Sequence, residues 1–80
     1  LYAVTPQTED SARLAAQVRA ALEGGTRVVQ YRDKSTDRAL RRYQASALHA
    51  LCCAHGAALI INDDVDLALE IGADRRIPYR

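Results

Sequence analysis

Residues 28–34 read Val-Val-Gln-Tyr-Arg-Asp-Lys, and the reading of this stretch decides the fold. It begins as an apolar run and ends in cations. Side chains alternate faces along a strand with period two, so Gln30, Arg32 and Lys34 point to one side and Val29 and Tyr31 to the other. An amide, a guanidinium and an ammonium then converge where the strand runs out. Arg presents a planar fork of donors and Lys a mobile point charge, a set that suits the oxygens of a diphosphate. About thirty residues on, a second apolar run, Leu59-Ile60-Ile61, ends in Asn62-Asp63-Asp64. One cationic strand tip and one acidic strand tip are the parts of a magnesium-dependent phosphate site.

Outward from this stretch, strands and helices alternate. Leu1 to Thr5 reads as a strand closed by Pro6. Thr8 is the expected cap of the helix that follows, with Glu9 and Asp10 near its positive end. Leu14, Val18, Ala21 and Leu22 share one face of that helix, and Gly24-Gly25 stops it. Arg27 to Arg32 is the second strand. Ser35-Thr36-Asp37 opens the second helix, with a hydroxyl as the expected cap. Leu40, Ala47, Leu48 and Leu51 make its apolar stripe, Tyr43 and Gln44 border it, and Arg38, Arg41 and Arg42 lie toward solvent. Gly56 ends it. Ala58 to Asn62 is the third strand, and Val65 to Ile71 a short third helix closed by Gly72.

The strands are continuous apolar runs rather than alternating ones, which predicts that both faces of the sheet are covered. Repeated at about thirty residues, the strand-helix unit is the pattern of an α/β protein with a parallel sheet. In such sheets the reactive groups gather at the carboxyl ends of the strands. Both polar clusters fall there.

The totals set limits. Eighty residues allow one small domain. Eleven basic residues against ten acidic ones leave a formal charge of +1, which gives no field to attract nucleic acid or a membrane surface. No apolar run approaches the roughly 20 residues that span a bilayer. The opening Leu1-Tyr2-Ala3-Val4 is too short for a targeting core and has no basic flank. Cys52 and Cys53 are neighbours whose pairing would staple nothing, which favours a reducing, cytoplasmic setting. With four Tyr and no Phe or Trp, the core must be built from Ala, Leu, Val and Ile.

Four stretches resemble the thiamine phosphate synthase family: Leu-Tyr-Ala-Val-Thr-Pro, Gly-Gly-Thr-Arg-Val-Val-Gln-Tyr-Arg-Asp-Lys, Leu-Ile-Ile-Asn-Asp-Asp-Val-Asp-Leu-Ala-Leu and Ile-Gly-Ala-Asp. The resemblance covers residues 1–74, leaving 75–80 as a divergent basic tail. It implies part of a (β/α)₈ TIM barrel, about three βα units. It also implies a transferase that joins hydroxymethylpyrimidine diphosphate to thiazole phosphate with Mg²⁺ and releases pyrophosphate. By the same resemblance Gln30, Arg32, Lys34 and Asn62 hold the pyrimidine diphosphate and Asp63 ligates the metal. No residue of the chain is assigned a catalytic role. After Asp74 the family's pattern continues into a fourth strand and a second metal-binding aspartate, where this sequence reads Arg75-Arg76-Ile77-Pro78-Tyr79-Arg80. The second carboxylate, a serine and a lysine of the diphosphate site, and the thiazole phosphate half are therefore expected to lie outside these residues, and the 80-residue chain is expected to be inactive alone.

Competing readings follow from the same residues. A thiazole tautomerase shares the barrel and some of these groups, though the intact Gln-x-Arg-x-Lys and Asn-Asp pattern favours the synthase. A non-catalytic accessory domain that self-associates through its exposed outer strands is the other rival. Asp64 is assigned to a helix cap or a supporting position. His49, Cys52 and Cys53 have spacing compatible with metal ligation on one helix, but structural zinc sites draw ligands from more than one segment. Both thiols are better read as small apolar fillers beneath the sheet. Arg75, Arg76 and Arg80 read as a frayed terminus.

Overall fold

The computed structural model describes residues 2–33 and 36–61 together with Leu67 and Gly72. Three strands, β1 (Tyr2–Val4), β2 (Val28–Tyr31) and β3 (Ala58–Ile61), alternate with two helices, α1 (Ser11–Glu23) and α2 (Arg38–Ala54). The sheet is parallel throughout and its strand order is β1-β2-β3. Tyr2 lies opposite Val28, and Val28 opposite Ala58, offsets of 26 and 30 residues that match the repeat read from the sequence.

A strand order that follows the chain without reversing is singly wound. Parallel neighbours need a crossover, and crossovers of one hand in one direction stack their helices on the same face. One core accordingly joins Leu14, Val18 and Leu22 of α1, Ala45, Leu48 and Cys52 of α2, and Val29, Tyr31, Leu59 and Ile61 of the sheet. Leu67 is buried in this core as well; otherwise the expected third helix, Val65 to Ile71, lies outside the described residues. A singly wound parallel α/β layer is a sector of a (β/α)₈ barrel.

The opposite sheet face carries Tyr2, Val4, Val28, Gln30, Ala58 and Ile60. Gln30 and Ile60 are buried there, but Tyr2 and Val4 are 58% and 47% exposed. The expectation that both faces are covered thus fails at β1. The described layer has helices on one face, and an apolar side chain on an outer strand can be part of a barrel lining and still be open in a sector.

Cap identities differ from expectation at both helix starts. The carboxylate of Asp10, not Thr8, accepts from the N–H of Arg13 at 3.0 Å, while the Thr8 hydroxyl accepts from Asp10 N–H at 3.1 Å. At α2 the Asp37 carboxylate accepts from Leu40 N–H at 3.0 Å, so an anion replaces the expected hydroxyl. An aspartate adds charge to the same hydrogen bond and faces the positive end of the helix. Both helices stop in one way. Thr26 N–H donates to Ala21 C=O and Gly25 N–H to Leu22 C=O; Ala57 N–H donates to Cys52 C=O and Gly56 N–H to Cys53 C=O. These are Schellman closures, and they need the positive φ of Gly25 (106°) and Gly56 (68°).

The buried stripe of α2 is Gln44, Ala45, Leu48 and Cys52. It is rotated from the expected Leu40, Ala47, Leu48, Leu51 stripe, whose other three members are only half-buried. Arg41 is half-buried rather than solvated, and Tyr43 is 65% exposed. Residues 44, 48 and 52 recur every four positions, and the amide at 44 is tolerated inside because its polar atoms are bonded, as described below. Leu48→Ala is expected to lower stability by about 2–5 kcal/mol, whereas Tyr43→Ala should change it by less than about 0.5 kcal/mol. Urea unfolding followed by circular dichroism checks both.

Candidate diphosphate site

The carboxyl edge of the sheet is assembled by Thr5. This residue is buried, immediately beyond β1. Its N–H donates to the carbonyl of Gln30 at 2.9 Å, and its hydroxyl accepts from the N–H of Arg32 at 3.0 Å. The parallel ladder is thereby extended one step past the strands, with a side chain standing in for the backbone. Arg32 is exposed, so its guanidinium reaches solvent from a backbone that is held in place.

Gln30 is buried on the face opposite Val29 and Tyr31, as period two requires. Its Oε1 accepts from the hydroxyl of Tyr2 on the neighbouring strand. This contact leaves the NH₂ as the donor end of the amide. Arg32 follows directly from β2, and its rim is shared with β3 because Tyr31 is in register with Ile61. Lys34, Asn62 and Asp63 lie outside the described residues. Two of the five selected residues, Gln30 and Arg32, are therefore described: one in the sheet, the other at its carboxyl edge.

Behind this edge is a polar cluster that sequence reasoning missed. The Tyr31 hydroxyl donates to Gln44 Oε1 at 2.7 Å and lies 3.2 Å from the Asp33 carboxylate. The Gln44 NH₂ donates to the carbonyl of Thr8 at 2.8 Å and to the Ser11 hydroxyl at 3.1 Å. Tyr31 and Gln44 are each only 1% exposed. Burial, reinforced by the charge of Asp33 and the hydrogen bond to it, pushes the Tyr31 phenol well above its ordinary range; the charge of Arg41 opposes this weakly. The phenol is a neutral donor at any ordinary pH. The spacing of Tyr31 and Gln44 gave no hint of this contact, because 13 residues and a helix start separate them.

The metal reading of His49, Cys52 and Cys53 finds no support among the described residues, where no group of three or more His, Cys, Asp or Glu side chains is placed to hold an ion. Cys52 is fully buried in the core, as expected of a small filler. Cys53 corrects the same expectation: it is exposed, with its sulfur 3.5 Å from His49 Nε2. Adjacent positions on a helix cannot face the same way.

Comparison with known proteins bears on this edge. The model of the thiamine monophosphate synthase family matches residues 1–76. The chain belongs to that family. It is 61% identical over 74 residues to a thiamine-phosphate synthase of Chromobacterium violaceum, an alignment covering 92% of this chain and 36% of the relative. Thiamine-phosphate synthases of Thiobacillus denitrificans and Nitrosospira multiformis are 57% and 51% identical over 74 residues, each covering 92% of this chain and 35% and 32% of the relative. The chain thus spans about a third of the length of these relatives. Among the described residues no helix is long and apolar enough to cross a membrane.

The two thiols should separate chemically. Burial, with a smaller contribution from Cys53, pushes the Cys52 thiol up to about 11. Iodoacetamide at neutral pH is expected to add once per folded chain, at Cys53, as read by intact mass and peptide mapping. The raised thiol contributes stability that is complete below the ordinary value of 9.0 and is lost as pH climbs from there through about 11. Urea midpoints measured at about pH 8 and about pH 10 should fall in that order, and Cys52→Ala should flatten the difference.

Proposed function

We propose that this chain supplies the diphosphate grip of a transferase that joins hydroxymethylpyrimidine diphosphate to a thiazole phosphate, forming thiamine phosphate and releasing pyrophosphate. In this reading Gln30, Arg32, Lys34 and Asn62 bind the pyrimidine diphosphate and Asp63 ligates Mg²⁺. The observation that carries it is the register of β2 on β3. Tyr31 opposite Ile61 sends the chain out of both strands at one edge, so Arg32 leaves β2 at the edge where β3 ends, and Asn62 and Asp63 are the next residues in the sequence after Ile61. The names of the relatives support the same reaction.

The chemistry follows from the donors. Arg32 offers two parallel N–H groups to two oxygens of one phosphate, and Lys34 adds a point charge. The Gln30 amide is suited to a single neutral donation. When bound, Mg²⁺ neutralises charge on the departing pyrophosphate, and it favours one or two carboxylates with phosphate oxygens and water as ligands. The described donors fit such a ligand, since Arg32 is held by its backbone and free to choose its side-chain geometry. Bond formation itself needs the rest of the barrel, and the 80 residues alone do not catalyse it.

The test is titration calorimetry of Mg²⁺-pyrophosphate into the full-length gene product that contains this segment. Arg32→Ala should weaken binding about tenfold or more, and Arg32→Lys should recover only part, because the fork is lost while the charge is kept. Unchanged affinity in Arg32→Ala would overturn the reading.

A second reading concerns association. Among the described residues β1 is an outer strand, and it exposes Tyr2 and Val4. Outer strands with open apolar side chains pair with other copies unless covered. The isolated 80-residue chain is expected to dimerise as concentration rises in light scattering, with Val4→Lys shifting it toward monomer. A monodisperse monomer at every concentration would exclude this.

A further inference from the structure

We propose that Gln44 is a positioning residue for the phosphate grip, acting through Tyr31 and the β1–α1 connection without touching the ligand. The inference rests on the diphosphate reading above and extends it to residues that reading does not use. Three observations carry it. First, Gln44 is the one polar residue in the buried stripe of α2, and its amide joins three parts of the chain: Tyr31 at the end of β2, the carbonyl of Thr8 in the β1–α1 connection, and Ser11 at the first turn of α1. Second, the amide orientation is fixed by its partners. A carbonyl at Thr8 accepts only from the NH₂ end, so Oε1 must face the Tyr31 phenol. Third, Arg32 lies between two anchors that lead to the same connection. Its own N–H is bound by Thr5, and the next residue, Asp33, has its carboxylate 3.2 Å from the Tyr31 hydroxyl that Gln44 holds.

The juxtaposition has a physical consequence. An exposed arginine at a strand end loses much rotamer and backbone freedom on gripping a ligand. Fixing the backbone on both sides of it beforehand removes part of that cost, which is what preorganisation contributes to affinity. Tyr31 has one proton and two acceptors within reach, Gln44 at 2.7 Å and Asp33 at 3.2 Å. Removing the phenol oxygen takes away one hydrogen-bond partner of Asp33 and leaves Gln44 Oε1 buried without its donor. Removing the Gln44 amide frees the phenol and opens the hold on Thr8 and Ser11.

The experiment uses the full-length gene product and Mg²⁺-pyrophosphate as probe, with affinity from calorimetry and melting temperature from calorimetric scans. Tyr31→Phe and Gln44→Leu are each expected to weaken pyrophosphate binding about fivefold, and the double variant to cost no more than the worse single one. Leu48→Ala, a core change remote in chemistry from the cluster, should lower the melting temperature at least as much and leave the affinity unchanged. If the loss of affinity tracks the loss of melting temperature across all variants, Leu48→Ala included, Gln44 is merely structural and the proposal is overturned. It is also overturned if Arg32→Ala abolishes binding while Tyr31→Phe leaves it intact. Unchanged binding in Arg32→Ala instead removes the underlying site reading, and the two failures are thus told apart. Tyr31→Phe alters one buried atom and keeps the ring, so the test survives if Gln44→Leu does not fold.

Discussion

The parallel pairing of residues 28–31 with 58–61 is the interaction on which the rest of the molecule depends. Parallel strands cannot be joined by a tight turn, so each pairing obliges the chain to cross over, and the helix that makes the crossing must cover the sheet. Because β1, β2 and β3 follow one another in space as in sequence, both crossings fall on one side. The second consequence is directional. All strands end at one edge, and whatever the chain carries just beyond a strand is brought to that edge. Arg32 is there for this reason and for no local one.

What makes the edge more than a collection of loop starts is that its connections are tied together. Thr5 holds the end of β2 by two hydrogen bonds, one to a backbone carbonyl and one from a backbone amide. Gln44 reaches the same connection from the other helix. Both devices place polar atoms in buried surroundings, where an unmade hydrogen bond costs about 1–3 kcal/mol and a made one excludes alternatives. On the proposed reading, an edge that offers an exposed cation to a ligand benefits from such rigidity directly behind it. The open side of β1, with Tyr2 and Val4 exposed, has no comparable support among the described residues.

Family membership and geometry contribute different things. Identity of 61% to a thiamine-phosphate synthase over 92% of the chain fixes ancestry. The geometry says how far that ancestry reaches into these residues: the sheet edge, the held backbone of Arg32 and the buried amide of Gln30. The network behind the edge belongs to neither argument alone. Its members are a tyrosine that the strand period places only on the face opposite Gln30 and a glutamine that the helical pattern places at a stripe border, and only their contact gives them a common task.

Sequence by itself determined the layout. Three apolar runs separated by helical patterns, with Gly25 and Gly56 where a left-handed residue must end a helix, leave little choice but a parallel layer, and period two places Gln30 opposite Val29 and Tyr31. These signals are local, and local signals survive in a sequence. Tertiary structure decided the details that depend on what meets what. Asp10 and Asp37, rather than neighbouring hydroxyls, cap the helices because the chain enters each helix one or two residues later than composition suggests. The face of α2 is turned so that Gln44 is inside and Tyr43 outside, because the amide finds partners on α1, on its preceding connection and on β2 that no spacing within α2 announces. Adjacent cysteines look alike in sequence, yet one is sealed in the core and the other is in solvent, because a helix turns through about 100° per residue.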